Sequence, residues 1–353
     1  MSSSRIIRAS KGEIIKMTSA LGDPMMDRRL NWPSTALFNT ISNNIDGEGL
    51  APSVKRSIEL GMEQENHVSF FKTFLSLTHL FSFQVCCSCD SDCSTNANCE
   101  CLKMARLMNE TFGGDLIVHG QPIDNPASDE KKMYWDKPRF VCGPRCTCRK
   151  DCSLNAIQNI DMNQTKKFEI LRTDGKGFCL YANFDADEGT PIASFNGELV
   201  GPGEVKKDMD VHQYSLQVIA NDDPFWRVLS KCKSMDKEYK DQLKKAYRST
   251  VFVNPLKKGN FTRMTSHSCD PNMEILRVFQ GGVSPADLRV IFVATKAIKA
   301  GDELTFNYGD DYVEEHLGTC LCDKCKEERR RSNKRKIEDT TRVLRSQAKK
   351  QCT

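Results

Sequence analysis

The feature that most constrains this chain is the spacing of nine cysteines between residues 87 and 152. Five precede a spacer of forty residues and four follow it: Cys87, Cys89, Cys93, Cys99 and Cys101, then Cys142, Cys146, Cys148 and Cys152. Few aliphatic residues accompany them, so side chains alone would not build a core here, and we expect bound metal to fold the segment. The alternative, buried cysteines without a ligand, does not account for such close and regular spacing.

The number nine indicates a cluster of zinc ions rather than separate sites. Zinc takes four thiolates in a tetrahedral structural site, and nine is not a multiple of four. Three ions need twelve ligand positions, which six cysteines bound to one ion each and three shared between two ions would supply. The chain has 17 cysteines, and its first residues, MSSSRIIRASKGE, lack the apolar run of a signal peptide. We therefore expect an intracellular protein whose cysteines bind metal instead of forming disulfides.

A second, smaller cysteine group lies near the C-terminus. Cys320, Cys322 and Cys325 offer three ligands to a zinc ion, and charged residues follow them. The best candidate for the fourth ligand is Cys269, in the segment RMTSHSCDPN. The sequence thus predicts about four structural zinc ions, three in the first group and one that ties the C-terminal segment to a site fifty residues upstream.

The rest of the chain indicates a mainly β protein. Between Phe168 and Tyr312, short apolar runs such as FEILRT, PIASFNGELV, YSLQVIA and LRVIFVAT alternate with turn sequences such as DGKG, GPGE and KAGDE. Within this stretch only Asp236 to Arg248 has convincing helical character. No run of 18 apolar residues occurs, so we expect no membrane partner.

Charge is distributed unevenly along the chain. The net charge is +4, yet residues 326–353 alone contain eleven Lys/Arg against four Asp/Glu, which leaves the remainder slightly negative. Such a body suits a basic peptide as partner, and the basic tail suits nuclear import or weak nucleic-acid contact. A tail that is merely solvated is the alternative.

Four short motifs lie in order between the two cysteine groups: GKGFCLYA, FNGELV, RMTSHSCDPN and ELTFNYG. In this arrangement the chain resembles SET-domain histone-lysine methyltransferases of the suppressor-of-variegation class. The nine-cysteine block resembles a pre-SET domain, and the second group resembles a post-SET segment. The likeness covers roughly Cys87 to Lys326, about two-thirds of the chain. It implies a SET-domain pseudoknot of small β-sheets with short helices.

The resemblance also divides the chain. We expect an N-terminal region of unknown role over 1–85, a pre-SET zinc-cluster domain over 86–153 and a SET catalytic domain over 167–312. A post-SET zinc segment over 316–329 and a basic tail over 330–353 would follow.

The same resemblance implies the activity and the site. A protein of this class transfers methyl groups from S-adenosylmethionine to a lysine of a histone tail, by family default lysine nine of histone H3. Its partners are the histone tail peptide and nucleosomes or chromatin, and its place is the nucleus, on chromosomes. Tyr308 would be the catalytic tyrosine, and Phe306 would lie beside the target lysine. The residues expected at the cofactor are Lys176, Gly177 and Phe178 at its methionine end, Ser266 and His267 at its adenosine, and His212 in the place of a family tyrosine.

Several residues depart from the family pattern. The motif Gly-Trp-Gly is here Gly177, Phe178, Cys179, which is expected to put a side chain near the cofactor. Ser266 replaces an asparagine, and Asn307 stands where aspartate is commoner. These changes favour a second hypothesis, a SET-fold protein that binds chromatin with weak or no activity. A third, a zinc-stabilised DNA-binding module, is disfavoured because the body lacks a basic face.

Overall fold

The computed structural model of the chain describes most of the part that carries these motifs and little of what precedes it. The described residues are 15–16, 39–40, 45–46, 52, 54–56, 86–117, 121, 123, 137–144, 146–148, 151–157, 160, 168–173, 175–203, 215–221, 223–233, 235, 237–255 and 258–351. Among these, no helix is both long and apolar enough to cross a bilayer.

The described residues form five small sheets. The strands are β1 (Ile15–Lys16), β2 (Asn39–Thr40), β3 (Ile45–Asp46), β4 (Arg139–Val141), β5 (Phe168–Thr173), β6 (Gly177–Ala182), β7 (Pro191–Phe195), β8 (Glu198–Val200), β9 (Leu216–Ile219), β10 (Val251–Asn254), β11 (Lys258–Gly259), β12 (Ser266–His267), β13 (Met273–Gln280), β14 (Leu288–Ala294) and β15 (Thr305–Phe306). The sheet orders are β1-β5-β6, β3-β8-β10-β9, β11-β2, β12-β15 and β4-β13-β14-β7. The N-terminal strands β1, β2 and β3 thus each add to a sheet of the body.

The helices are few and, with one exception, short. They are α1 (Glu100–Phe112), α2 (Trp226–Lys231), α3 (Lys237–Ala246), α4 (Asp310–Tyr312), which continues as one π-helical turn over Val313–Leu317, and α5 (Asp323–Gln351). Short 3₁₀ turns cover Cys93–Thr95, Phe261–Met264 and Pro285–Asp287. The mainly β fold class and the predicted helix at residues 236–248 are confirmed, as are the strands expected from FEILRT, PIASF, LQVI and LRVIFVA.

The sheet β4-β13-β14-β7 is the centre of the molecule because its long strands are buried on both faces. Along β14, Val290, Phe292 and Ala294 belong to the main core, whereas Ile291 and Val293 face a second apolar cluster. That second cluster includes Ile117, Ile123 and Ile157, which come from the cysteine-rich part of the chain. The cysteine-rich segment therefore packs on the back of the central sheet and does not form a detached module.

A chain crossing brings the sequence motifs together. β12 and β15 are parallel neighbours, although about forty residues separate them. The side-chain oxygen of Asn272 accepts a hydrogen bond from the Thr305 backbone N–H at 2.9 Å, and its amide donates to the Glu303 carbonyl at 2.9 Å. On the other side, the Leu304 N–H donates to the Leu180 carbonyl at 2.8 Å. The strand of the fourth motif thus lies between those of the first and third.

Two helices depart from the sequence-based picture. α1 covers the start of the spacer between the two cysteine groups and buries Leu102, Ala105 and Met108, three positions on one helical face. α5 runs without a break from the second cysteine group into the basic segment, across the boundary expected at residues 329 and 330.

Candidate active site and zinc sites

The nine cysteines of the first group converge on one place. Their sulfur atoms form overlapping groups, each within 4.8 Å, at 87/101/142/146, 87/89/93/99 and 87/93/142/148. Cys87, Cys93 and Cys142 recur in more than one group. Their sulfurs are adjacent, with Cys87 Sγ 3.4 Å and Cys142 Sγ 3.7 Å from Cys93 Sγ. Cys152, the ninth, lies beside them, because its sulfur accepts a hydrogen bond from the Cys93 N–H at 3.3 Å.

This arrangement fits three zinc ions. Three recurring cysteines and six others match the predicted count of three shared and six terminal ligands. Burial raises the pKa of the Cys93 thiol, and hydrogen bonds with Cys142 and Cys146 raise that of Cys101; bound zinc would favour their thiolate forms. Cys86 lies at the edge of the cluster, where its thiol donates to the Gly281 carbonyl at 2.9 Å and its side chain also contacts Cys146.

The second cysteine group also assembles as predicted. Cys269, Cys320, Cys322 and Cys325 have their sulfurs within 4.8 Å of one another. Burial alone would raise the pKa of the Cys322 thiol, but backbone hydrogen bonds from Cys269 and Cys325 bring it down to about 6. The thiolate is the form that binds metal. These residues therefore fit one tetrahedral zinc ion whose ligands come from two distant segments.

Beside this second site lies a cavity of about 390 Å³. The glycine-rich turn before β6 forms one wall, and this turn requires positive φ angles at Gly175 (+78°) and Gly177 (+81°). The segments around β12 and after α4 form the others. The lining residues are Gly175, Lys176, Gly177, Phe178, Arg263, Met264, Thr265, Ser266, His267, Tyr308, Leu317, Thr319, Leu321 and Cys322.

A second cavity of about 290 Å³ adjoins the first. The residues that line this second cavity and not the first are Phe195, Ser215, Leu216, Thr262, Phe306 and Tyr312. The residues common to both cavities are Lys176, Arg263, Thr265, Tyr308 and Leu317. The two spaces therefore meet at a boundary that includes the tyrosine predicted to be catalytic.

Tyr308 is held by contacts to every part of its side chain and backbone. Its hydroxyl donates to the Thr265 carbonyl at 2.5 Å, and its N–H donates to His267 Nδ1 at 3.2 Å. Its ring centroid lies 4.8 Å from that of Phe306 and 5.3 Å from that of Tyr312. Phe306 in turn packs edge-on against Phe292 of β14, at 5.1 Å. The aromatic side of the second cavity is thus anchored to the central sheet.

His267 connects this tyrosine to the second cysteine site. Its Nε2 lies 3.3 Å from Cys269 Sγ, while its Nδ1 accepts the hydrogen bond from Tyr308. Burial lowers the pKa of the imidazole. A neutral ring with its proton on Nε2 satisfies both contacts, because one nitrogen must accept and the other donate.

Lys176 forms the charged edge of both cavities. Its ammonium nitrogen lies 2.8 and 2.9 Å from the two carboxylate oxygens of Glu303. Burial opposes the charge on the lysine, but the hydrogen bonds and the charge of Glu303 raise the pKa of Lys176. The pair therefore fixes the Lys176 ammonium, with its charge balanced by Glu303, where the two cavities meet.

The structure brings most of the predicted site residues to these cavities. Lys176, Gly177, Phe178, Ser266 and His267 line the first cavity, Phe306 lines the second, and Tyr308 lines both. His212 lies outside the described residues. Cys179, expected near the cofactor, is buried with Leu171 and Tyr181 and does not line either cavity.

Sequence reasoning missed four residues that line or position this site. Thr265 contributes a backbone carbonyl, which leaves no signature in a sequence, and Glu303 was not singled out from its motif. Tyr312 and Leu317 line the second cavity from the helical turns after the last motif. Tyr312 lies in α4 and Tyr308 precedes that helix, so their spacing in the sequence did not indicate their contact.

Known proteins resemble this chain over the same region. The SET domain model matches residues 177–309. A probable histone-lysine N-methyltransferase, set-23 of Caenorhabditis elegans, is 28% identical over 253 residues, which cover 68% of this chain and 85% of that protein. The H3 lysine-9-specific histone-lysine N-methyltransferase SUVH3 of Arabidopsis thaliana is 22% identical and covers 77% of this chain, but the match spans only 40% of that protein.

A solved structure shares the fold. The Neurospora SET domain protein DIM-5, a histone lysine methyltransferase, superposes with a TM-score of 0.50 at 19% identity, over 83% of this chain and 95% of that one. Together with the domain match and the crossing of β12 and β15, this likeness establishes the fold. Residues 177–309 of this chain match the SET domain, and the relatives that the chain resembles are named as histone-lysine methyltransferases, one of them specific for H3 lysine 9.

Proposed function

We propose that this chain is an S-adenosylmethionine-dependent histone-lysine N-methyltransferase. The observation that carries the proposal is the meeting of two cavities at Tyr308, with a cysteine site closing one of them. A methyl donor in the first cavity and a lysine side chain in the second would face each other across this boundary. The relatives' names support the same chemistry.

The first cavity suits the methyl donor. Its volume lies within the usual range for small-molecule sites, roughly 300–1,000 Å³. Lys176 offers its third ammonium N–H, beyond the two that bond Glu303, to the carboxylate of the methionine end, and the backbone around Ser266 and His267 offers polar groups for the adenosine. The donor supplies a methyl group on a positively charged sulfur. Everything else in the reaction is left to the residues of the chain.

The second cavity suits the acceptor. A lysine amine reacts only when neutral, although its ordinary pKa is about 10.4. Phe306, Tyr308 and Tyr312 line this cavity, and the loss of water around an entering lysine disfavours its ammonium form and so lowers its pKa. The Tyr308 hydroxyl donates a hydrogen bond to the Thr265 carbonyl. Its oxygen can therefore accept a hydrogen bond from the lysine amine. Holding the amine in line with the methyl group can contribute roughly 7–11 kcal/mol.

The substrate proposed for this site is lysine nine of histone H3, within chromatin in the nucleus. A panel of histone tail peptides, incubated with the full chain and S-adenosylmethionine and read by mass spectrometry, tests it. We expect methylation of an H3 tail peptide, lost when lysine nine is replaced by arginine. Tyr308→Phe is the control, and it should abolish product while leaving the fold intact. Methylation of every peptide except the H3 peptide would overturn the proposal that H3 is the substrate.

Phe306 is proposed to set how many methyl groups are added. Tyrosine at this position could hold a water by its hydroxyl, in space that a methylated amine needs, whereas phenylalanine cannot. We expect the wild-type chain to proceed beyond monomethylation and Phe306→Tyr to accumulate mono- or dimethyl product. Mass spectra of a peptide driven to completion decide this, and identical product ladders would remove Phe306 from the site.

The second candidate, a chromatin-binding SET protein with little activity, rests on Ser266 and Asn307. A serine offers one hydroxyl where an asparagine amide offers a separate donor and acceptor. Calorimetric titration of S-adenosylmethionine into the purified chain separates the two functions. Tight binding with turnover supports the enzyme, and no binding supports the alternative.

A further inference from the structure

The part of α5 from Glu327 to Thr341 has no core to pack against. Every described side chain from Glu327 to Thr341 is exposed, and the segment contains one large apolar residue, Ile337, which is itself 66% exposed. A helix that is polar on all sides either bridges to something outside the domain or depends on its own side-chain pairs. Its exposed length therefore calls for a role other than stabilising the body.

The start of this helix is fixed to the active-site region. Cys322 precedes it and Cys325 lies in its first turn, so two ligands of the second cysteine site hold its start. The Arg329 guanidinium also donates to the Cys320 carbonyl at 2.7 Å. Leu321 and Cys322, at the same place, line the first cavity. The direction of the helix is therefore set relative to the cavities.

The exposed part begins with a dense run of positive charge. Residues 329–336 contain six Lys/Arg and no acidic residue. At about 100° per residue, Arg330, Arg331, Lys334 and Arg335 lie within an arc of roughly 140° on one side of the helix. Glu327 is paired with Arg331 at 3.1 Å and with Arg330 at 3.8 Å. Exposed pairs of this kind contribute only about 0–1 kcal/mol, so a stronger anion can replace them.

We infer that this basic arc binds the phosphate backbone of double-stranded DNA next to the histone tail that the site methylates. That this DNA is the DNA next to a histone tail rests on the proposed function. The arc offers four cations at helical spacing and no apolar anchor, which suits the regular, sequence-independent charge of a duplex better than a folded partner. At 1.5 Å per residue, the segment lies roughly 6–17 Å along the helix from Cys325, within reach of DNA that flanks a bound tail.

Duplex binding by the full-length chain tests this without histone or methyl donor. Fluorescence anisotropy of a labelled 20-base-pair duplex is measured from 50 to 200 mM salt for the wild type and for a variant with Arg331, Lys334 and Arg335 replaced by Gln. Four phosphate contacts predict a log–log salt slope of about −3.6, or roughly 150-fold weaker binding over this range. The variant keeps one of these contacts, which predicts a slope of about −0.9, or roughly threefold weaker binding over the same salt range.

A matched control removes three charges elsewhere. Lys233, Lys237 and Lys245 are exposed residues in and beside α3, and replacing all three by Gln should leave the salt slope unchanged. Equal loss in both variants would mean that net charge alone matters, and would overturn a docking surface on α5. An unchanged slope in the α5 variant would overturn it as well.

Activity separates the remaining outcomes. The α5 variant should methylate a free H3 peptide within twofold of wild type and a nucleosome at least tenfold more slowly at equal concentration. Equal losses on peptide and nucleosome would show that the segment serves the active site and not DNA. If polyglutamate binds with the same dependence on the arc as DNA, the partner is an acidic protein. If neither the wild type nor the variants methylate any substrate, the proposed function fails. The anisotropy result still decides the DNA contact.

Discussion

The two cysteine sites differ in what surrounds them. In the first, Cys93, Cys101 and Cys142 are fully buried, and the segments between the cysteines pack on the central sheet through residues such as Ile117 and Ile157. In the second, Cys269 is exposed, and the neighbouring chain contacts the active-site cavities. Thiolate ligation of the same kind thus serves the core in one place and the edge of a cavity in the other.

This difference indicates that the two metal sites have separate roles, one in stability and one at the active-site cavity. The first site shares ligands among ions, so the loss of one cysteine affects more than one ion. The second holds one ion between Cys269 and the segment before α5, and its removal would free a cover without exposing the central sheet. Stability and activity should therefore separate cleanly between the two sites.

The largest effect is expected from Cys93→Ser. Cys93 belongs to two overlapping sulfur groups, so its loss removes a ligand from two ions. Each structural zinc contributes apparent binding free energy of about 10–16 kcal/mol, comparable with the 5–15 kcal/mol stability of a whole domain. We expect elemental analysis to fall from about four zinc ions to two or fewer, with no cooperative thermal transition. Cys232→Ser is the matched control, because its buried thiol donates to the Val228 carbonyl, away from both cysteine groups. Full zinc content in Cys93→Ser would contradict the shared-ligand arrangement.

A different outcome is expected from Cys322→Ser. It should lower the zinc content by one ion and abolish methylation of a free peptide, because the segment that covers the first cavity loses its anchor. The thermal transition should stay within a few degrees of wild type, as read by circular dichroism. Cys232→Ser controls for the loss of a buried cysteine outside both sites, since Cys232 only donates to the Val228 carbonyl. Surviving activity, or global unfolding, would abolish the distinction between the two sites.

The ligand sets were predictable from the sequence because thiolate coordination imposes a count on the cysteines. The choice of Cys269 followed from that count, and the structure places its sulfur 3.7 Å from that of Cys320 and 3.6 Å from that of Cys325. Which cysteines are shared could not be predicted, because Cys87, Cys93 and Cys142 are distinguished only by their position in space. Strands such as β14 were predictable from continuous β-branched and aromatic runs.

Other parts of the site could not be predicted for physical reasons. The Tyr308 hydroxyl donates to a backbone carbonyl, and because every residue has one, the sequence does not show which residue is the partner. Cys179 was expected near the cofactor, but alternation along β6 turns its side chain toward Leu171 and Tyr181, on the buried side. The helical state of α5 was equally hidden, because a charged segment without an apolar face gives the same pattern as a solvated coil.

Chelation should reveal the two sites as separate phases. Addition of a chromogenic chelator to the full chain is expected to release one zinc ion first, because Cys269 is exposed, and three ions later. Methylation should be lost with the first phase, while far-UV circular dichroism persists until the second. Cys322→Ser should lack the first phase. Release of all four ions in one phase would show that the sites are coupled.

The smallest effect tests how the first site is attached to the central sheet. Gly143, in the cysteine-rich segment, packs directly on Gly281 after β13, and a Cβ on Gly281 would lie 2.8 Å from Gly143 Cα. Gly281 also has a φ of +69°, which costs another residue about 1–2 kcal/mol. Overpacking typically adds about 1–3 kcal/mol.

We therefore expect Gly281→Ala to lower the free energy of unfolding by about 2–5 kcal/mol, measured by urea titration. Gly301→Ala separates the two contributions, because Gly301 also has a positive φ, +97°, but nothing within 4 Å of its Cβ position. It should cost only the backbone strain, about 1–2 kcal/mol. Methylation by both variants should stay near wild type at low temperature, because neither glycine lines a cavity. Equal costs for the two substitutions would mean that the Gly143–Gly281 contact does not hold the cysteine-rich segment on the sheet, and that its attachment rests on the apolar cluster around Ile291 and Val293 alone.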